Sequence, residues 1–355
     1  MDNALAGLWI CNRAKVHGGK TNLNEVSSFS SQKTGLINTR KDNIMLGATI
    51  SVRALSRSAA VSQINRVTII GGGAMGSGIA QVAAQAGNQV TIVDQKQELL
   101  DKSVKGISGS LQRVVKKKFA DDAKAGEEFA KKTMSLIKTS TSPENAVKDT
   151  DLVVEAIVEN LEIKQKLFAS LDKVAPQGVI FASNTSSLSI TEIASFTKRE
   201  DRFGGLHFFN PVPVMKLLEV IRAHKTSDET NTKITEWGKL IGKTTIACKD
   251  TPGFVVNRLL VPSLMEAIRM LERGDASARD IDTGMKLGAG HPMGPFELAD
   301  YVGLDVTKFI IDGWHKKFPE NPLFNPSPLL DNMIAENKLG IKTGEGFFKY
   351  DKSKK

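Results

Sequence analysis

The chain has 355 residues, 41% apolar and 25% charged, which is ordinary for a soluble globular protein and long enough for two domains with a large core. No apolar run approaches the length of a membrane span, and the five histidines and two cysteines show no metal-ligand spacing, so neither a membrane span nor a metal is expected. The formal charge of +9 does not argue for nucleic acid, because residues 1–65 carry +5 of it and only +4 is left for the rest.

Residues 1–65 read as a disordered leader. Within them residues 45–65, from Met45 to Asn65, contain Arg53, Arg57, four serines and no acid, the composition of a mitochondrial presequence. Productive translation is expected to start at Met45. Cys11 lies in this leader and Cys248 stands alone, so no intrachain disulfide is expected once the leader is removed.

The folded part opens on Arg66-Val-Thr-Ile-Ile-Gly-Gly-Gly-Ala-Met-Gly-Ser-Gly78. Val67 to Ile70 favour a strand, and Gly71-x-Gly73-x-x-Gly76 follows where that strand must turn into a helix. Gly71 permits the tight turn, Gly73 lets backbone approach a pyrophosphate, and Gly76 lets the helix pack on the strand. Ile79, Val82, Ala83 and Ala86 mark the helical stripe, Gly87 ends it, and Val90 to Val93 form a second strand followed by Asp94. An acid at that place accepts hydrogen bonds from a ribose diol and repels a 2′-phosphate, which selects NAD over NADP.

Leu100, Val104, Ile107, Leu111 and Val114 then predict a long amphipathic helix ending in Lys116-Lys-Lys118. Ser110 and Lys117, seven apart, share one face of it. Ser135 to Thr139 is a candidate short strand, Asp151 to Ile157 a buried one, and Leu161 to Val174 a helix with Ile163, Leu167 and Leu171 facing inward. Gly178 to Ala182, Phe203 to Asn210, Lys216 to Ile221 and Thr244 to Cys248 add strands. This alternation predicts an α/β fold, a Rossmann-type doubly wound and mostly parallel sheet over residues 66–249. Asp250-Thr-Pro-Gly253 breaks the pattern, and from Asn257 onward the spacing is helical, with helices through Leu260, Leu264, Ile268 and Leu271 and over Asp305 to His315. Residues 250–355 are thus expected to form an all-helical C-terminal domain.

A nicotinamide enzyme that oxidises an alcohol needs a base to take the hydroxyl proton as hydride leaves. Histidine suits that task, and His207 ends a predicted strand beyond the glycine turn, at the edge where open α/β sheets bind ligands. Asn210 follows in a loop held by Pro211 and Pro213. Glu219 lies in the next strand, where a hairpin-like return would set its carboxylate against the second imidazole nitrogen. His17 lies in the leader, and His224, His291 and His315 sit in polar or loop surroundings that suit solvated roles.

From Arg66 to Tyr350 the sequence resembles the mitochondrial short-chain L-3-hydroxyacyl-CoA dehydrogenases. The blocks that carry the resemblance are Gly71 to Gly78, Val153-Val-Glu-Ala-Ile-Val-Glu-Asn160, Ser183-Asn-Thr-Ser-Ser187, Gly205 to Lys216, Asp250 to Arg258, Pro292-Met-Gly-Pro-Phe-Glu297 and Lys342-Thr-Gly-Glu-Gly-Phe347. It implies that His207 is the base and Glu219 its orienting partner, and that Ser186 and Asn257 contact the substrate around the reacting carbon and thioester. It also implies that Gly71, Gly72, Gly73, Ala74, Met75 and Gly76 cradle NAD and that Asp94 binds its adenosine ribose. Glu159, Lys164, Ser186 and Asn210 would face the nicotinamide side, and Lys342 would reach the cofactor from the C-terminal domain. Ser110 and Lys117 would hold coenzyme A. The implied reaction converts L-3-hydroxyacyl-CoA and NAD⁺ into 3-oxoacyl-CoA, NADH and a proton, in a homodimer of the mitochondrial matrix. A dehydrogenase of a free hydroxy acid or sugar acid, and a non-catalytic NADH-binding protein, are the competing readings. Glu155 has no separate role at this stage.

Overall fold

The computed structural model of the protein describes residues 63–351. The leader, apart from residues 63–65, lies outside the described residues. In chain order the elements are β1 (Arg66–Ile70), α1 (Ala74–Gln85), β2 (Gln89–Val93), α2 (Gln97–Lys118), α3 (Ala123–Ser135), β3 (Ile137–Ser140), α4 (Pro143–Ala146), β4 (Leu152–Glu155), α5 (Leu161–Asp172), β5 (Ile180–Ser183), α6 (Ile190–Ala194), β6 (Phe203–Phe208), β7 (Leu217–Arg222), α7 (Asp228–Leu240) and β8 (Thr244–Lys249). Beyond β8, among the described residues, come the helices α8 (Val256–Glu272), α9 (Ala278–Gly288), α10 (Pro295–Val302), α11 (Leu304–Lys317) and α12 (Pro328–Ala335), a short 3₁₀ turn at Pro322–Phe324, and two isolated antiparallel bridges, Gly340 with Glu345 and Glu345 with Lys349.

The strands form one sheet in the order β3-β2-β1-β4-β5-β6-β7-β8. Neighbours are parallel from β3 through β6, β7 turns antiparallel against β6, and β8 is parallel to β7. The chain leaves β1 toward β2 on one side and returns to β4 on the other, so a crevice opens at the carboxyl ends of β1 and β4. Alternating side chains feed two cores. Leu152 and Val154 of β4 join Ile79, Ile92 and Trp237 on one face, while Val153 joins Phe168, Phe181 and Phe203 on the other. A third core, of Leu264, Ile268, Phe296, Ile311 and Trp314, belongs to the C-terminal helices.

Several predicted bounds shift. The strand expected at Ser135 starts instead at Ile137, because α3 runs through Ser135. The strand expected over Asp151 to Ile157 is confined to Leu152–Glu155, and the carbonyl of Ala156 turns toward Gly71. Most telling is α5. Ile163, expected inward, is 46% exposed, whereas its neighbour Lys164 is 1% exposed beside Phe168 and Leu171. Two carboxylates draw the lysine in, and the helix rotates its apolar neighbour out.

Candidate active site

The glycine turn is built with no slack. Gly71 has φ +106°, and a Cβ there would lie 2.5 Å from the carbonyl oxygen of Ala156. A Cβ on Gly76 would lie 1.8 Å from the carbonyl oxygen of Gly71, so α1 passes over the turn at the closest approach that backbone allows. Gly73, the cap of α1, faces open space, with nothing within 4 Å of a built Cβ. Among the described residues no side chain caps α1, and no acid stands in its first turn, so its amides and positive dipole end suit a phosphate group from outside. The Asp94 carboxylate accepts the Gly72 amide at 2.8 Å and the Gln95 amide at 2.7 Å, which fixes it at the lip of the turn. These features fit a dinucleotide.

Three strands along the same edge, the β6–β7 ladder sets His207 directly opposite Glu219. Nδ1 of His207 lies 2.6 Å from Oε2 of Glu219, with the histidine 2% and the glutamate 0% exposed. With Nδ1 engaged by the carboxylate, Nε2 is the nitrogen able to accept a proton. The Phe209 and Phe254 rings stand 4.6 and 5.6 Å from the imidazole and restrict it further. The Phe208 amide donates to Asn184 Oδ1 at 2.8 Å, tying the end of β6 to the loop after β5.

That loop carries Ser186. Its carbonyl accepts Nδ2 of Asn257, from the first turn of α8, at 3.3 Å. Asn257 is 1% exposed, and among the described residues its buried Oδ1 has no hydrogen-bond partner. Beneath the loop, Glu159 Oε1 accepts from the amides of Ser186 and Ser187 and from the hydroxyls of Thr185 and Ser187. Lys164 Nζ sits 3.2 Å from Glu159 and 2.6 Å from Glu155. Burial alone would raise the Glu159 carboxyl, but the Lys164 ammonium and these donors hold it below the ordinary carboxylate range. Burial likewise opposes the charge on Lys164, and the two carboxylates more than offset it.

The remaining predicted positions are less gathered. Asn210 is half-buried just past β6. Ser110 is half-buried and Lys117 exposed on α2, and Lys342 is exposed and paired with Asp305 on α11. No hydrogen bond or ion pair ties these last three to the glycine turn or to the His207 pair. Sequence reasoning missed Asp250, whose carboxylate accepts from the Ser189 hydroxyl and the amides of Ile190 and Thr191, pinning the start of α6 to the link before α8. It also missed Asn184, although that residue lies within the Ser183 to Ser187 block.

A carboxylate-held imidazole on the same strand edge as a dinucleotide cradle is the arrangement of a nicotinamide-dependent alcohol dehydrogenase, with a helical domain contributing Asn257. Comparison with known proteins narrows this class. The chain belongs to the 3-hydroxyacyl-CoA dehydrogenase family, with residues 66–251 matching its NAD binding domain and residues 253–350 its C-terminal domain. It is 63% identical over 295 residues to the mitochondrial hydroxyacyl-coenzyme A dehydrogenase of Homo sapiens, covering 83% of this chain and 94% of that protein. A probable 3-hydroxyacyl-CoA dehydrogenase of Caenorhabditis elegans is 58% identical over 302 residues, covering 85% and 98% respectively. Among solved structures, that of (S)-3-hydroxybutyryl-CoA dehydrogenase from Ralstonia eutropha is 44% identical with a TM-score of 0.77, covering 82% of this chain and 100% of that one. The enzyme class and the NAD cofactor expected from the sequence are borne out.

Proposed function

We propose that this protein oxidises L-3-hydroxyacyl-CoA to 3-oxoacyl-CoA in fatty acid β-oxidation, with His207 as general base. The observation that carries this is the 2.6 Å contact between buried His207 Nδ1 and Glu219, which leaves Nε2 to take the hydroxyl proton and stabilises the imidazolium that results. NAD, when bound, supplies the hydride acceptor. Gly71, Gly72, Gly73, Ala74, Met75 and Gly76 would hold its pyrophosphate, and Asp94 its adenosine ribose. Glu159, Lys164 and Asn210 belong to the nicotinamide side, and Lys342 to the side facing it from the helical domain.

Ser186 and Asn257 hold the reacting carbonyl group of the substrate. Asn257 Nδ2 donates one hydrogen to the Ser186 carbonyl and keeps a second for the substrate's carbonyl oxygen, to which the Ser186 hydroxyl can also donate. On α2, Ser110 and exposed Lys117 share a face that offers a hydroxyl and a cation to the phosphates of coenzyme A. A free hydroxy acid would have no use for that face.

The relatives from Homo sapiens, Sus scrofa and Mus musculus are named as mitochondrial. Together with the Arg- and Ser-containing, acid-free stretch at residues 45–65, they support import into the mitochondrial matrix. Among the described residues no helix is long and apolar enough to cross a membrane. A homodimer built through the helical C-terminal domain, residues 250–355, completes the proposal, and exposed Leu259, Tyr301, Phe309 and Leu323 supply apolar surface for it.

The test is a steady-state assay of NADH oxidation with 3-oxoacyl-CoA esters of several chain lengths, with the free 3-oxo acids as controls. The esters are expected to turn over and the free acids to fail. His207→Asn is expected to lower kcat at least about 100-fold with NADH affinity nearly intact. Near-normal turnover in that variant would remove His207 from the role.

A further inference from the structure

Glu155, Lys164 and Glu159 form a cluster in which one ammonium serves two carboxylates. Lys164 is 1% and Glu155 0% exposed, and the Glu159 side chain is 10% exposed. Each hydrogen bond at Glu155 is donated to it, by Lys164 Nζ at 2.6 Å, the Ile157 amide at 2.7 Å and the Ser183 hydroxyl at 2.6 Å. Glu159 accepts in the same way from the 185–187 loop. Side chains that only accept, at both oxygens, behave as ionised carboxylates. Amides and hydroxyls bring dipoles but no net charge, and among the described residues neither carboxylate has a second cation within 4 Å. The cluster therefore carries one uncompensated negative charge in a region of low polarisability.

Either carboxylate alone would balance Lys164, so the excess belongs to the pair, and Glu155 is its fully buried member. Its place gives the charge a target. Glu155 ends β4, where the next carbonyl, Ala156, abuts Gly71 of the dinucleotide turn. Across the sheet Glu155 pairs in register with Ser183 of β5, and Ser183 with Gly205 of β6, two residues before His207. The charge thus lies along the strand edge between the cofactor turn and the base.

We propose that the excess negative charge of Glu155 and Glu159 around Lys164 sets the protein's preference between the two forms of its cofactor. Reduction adds two electrons and one proton to the nicotinamide, converting a ring of charge +1 into a neutral one. A fixed anion beside the crevice favours the cationic ring and leaves the neutral ring untouched. Relative to a neutral site, the protein holds NAD⁺ more tightly against NADH, which eases release of the reduced product. This inference rests on the reading that the crevice holds NAD with its nicotinamide on the side of Glu159 and Lys164.

The experiment measures equilibrium dissociation constants of NAD⁺ and NADH separately, by calorimetry and NADH fluorescence, on the whole chain without substrate. Glu155→Gln keeps the size and the hydrogen-bond acceptor but removes the charge, and the ratio Kd(NAD⁺)/Kd(NADH) is expected to rise about 5-fold or more. Glu159→Gln removes the other unit and must move the ratio in the same direction, so the test stands even if Glu155→Gln does not fold. Glu155→Asp keeps the charge and should leave the ratio at the wild-type value, even where both affinities fall, which a purely structural role would not distinguish from Gln. An unchanged ratio in both Gln variants overturns the inference alone. A folded wild-type protein that binds neither form overturns the cofactor reading and the inference together.

Discussion

Glu219 grips His207 with one oxygen and the start of α8 with the other. Oε2 lies 2.6 Å from Nδ1 of His207, while Oε1 accepts the Val255 amide at 3.1 Å and the Val256 amide at 2.9 Å. Between these anchors stands Phe254, at φ +54° with its ring against the imidazole. The acid held against His207 thus also caps the first helix of the C-terminal region, whose own N-cap residue, Val255, makes no side-chain cap.

This double use makes Glu219→Gln informative. An amide keeps the shape, but its NH₂ group must face one of the former donors, and the imidazolium loses its counter-charge. We expect kcat to fall at least about 100-fold and stability to drop by about 1–3 kcal/mol. Steady-state kinetics and urea unfolding read the two effects. Loss of turnover with unchanged stability would show that α8 does not lean on this carboxylate.

Gly76→Ala tests the dinucleotide turn. Because its Cβ would stand 1.8 Å from the carbonyl oxygen of Gly71, either α1 or the turn must move. NAD affinity should fall by at least about tenfold, since the phosphate cradle depends on that approach. Gly73→Ala is the control, because a Cβ there meets nothing within 4 Å in the protein itself. It should leave folding stability near wild type and weaken NAD binding only where the cofactor needs the space. Equal loss of stability in both variants would contradict this division.

Much of this was legible from residue order. The Gly71 to Gly76 turn, its flanking strands and Asp94 are local features, and the short connection from β6 to β7 makes it natural for His207 to face Glu219. What escaped was set by distant partners. Hydrophobic spacing sends Ile163 inward and a lysine outward, and only Glu155 and Glu159 reverse that order at Lys164. Asp250 read as part of a chain break, yet its carboxylate caps residues about sixty positions earlier. Helix α3 packs Phe129, Ala130 and Met134 against the core and meets α2 closely at Gly126, where a Cβ would lie 2.5 Å from Val115, an approach set by tertiary packing rather than by its own pattern.

The proposed coenzyme A face of α2 is tested by Ser110→Ala combined with Lys117→Ala. Ser110 is half-buried and Lys117 exposed, so the fold should not notice the change and the unfolding midpoint should stay near wild type. The KM for a coenzyme A ester should rise about tenfold with little change in kcat, the pattern of lost uniform binding. An unchanged KM would assign coenzyme A to another surface.

Acid stability offers a test of the Glu159 cluster that needs no ligand. Burial pushes the Glu159 carboxyl up, but Lys164, the Thr185 hydroxyl and the Ser186 amide pull it down further, leaving it below its ordinary 4.5. A group whose folded value is depressed stabilises the protein fully above the unfolded value and loses that contribution as pH falls through the folded one. Lys164 is the mirror case. Its burial is outweighed by Glu155 and Glu159, so it lies above its ordinary 10.5, and its contribution holds below that pH and fades only in stronger base. Between these limits Glu159 and Lys164 are both charged. The stability difference between wild type and Glu159→Gln, measured by urea unfolding across pH, should therefore stay level from about pH 6 to 9 and close as pH falls below about 4.5. A difference that widened in acid would mean that Glu159 is held protonated in the folded protein, and the charge assigned to the cluster would have to be withdrawn.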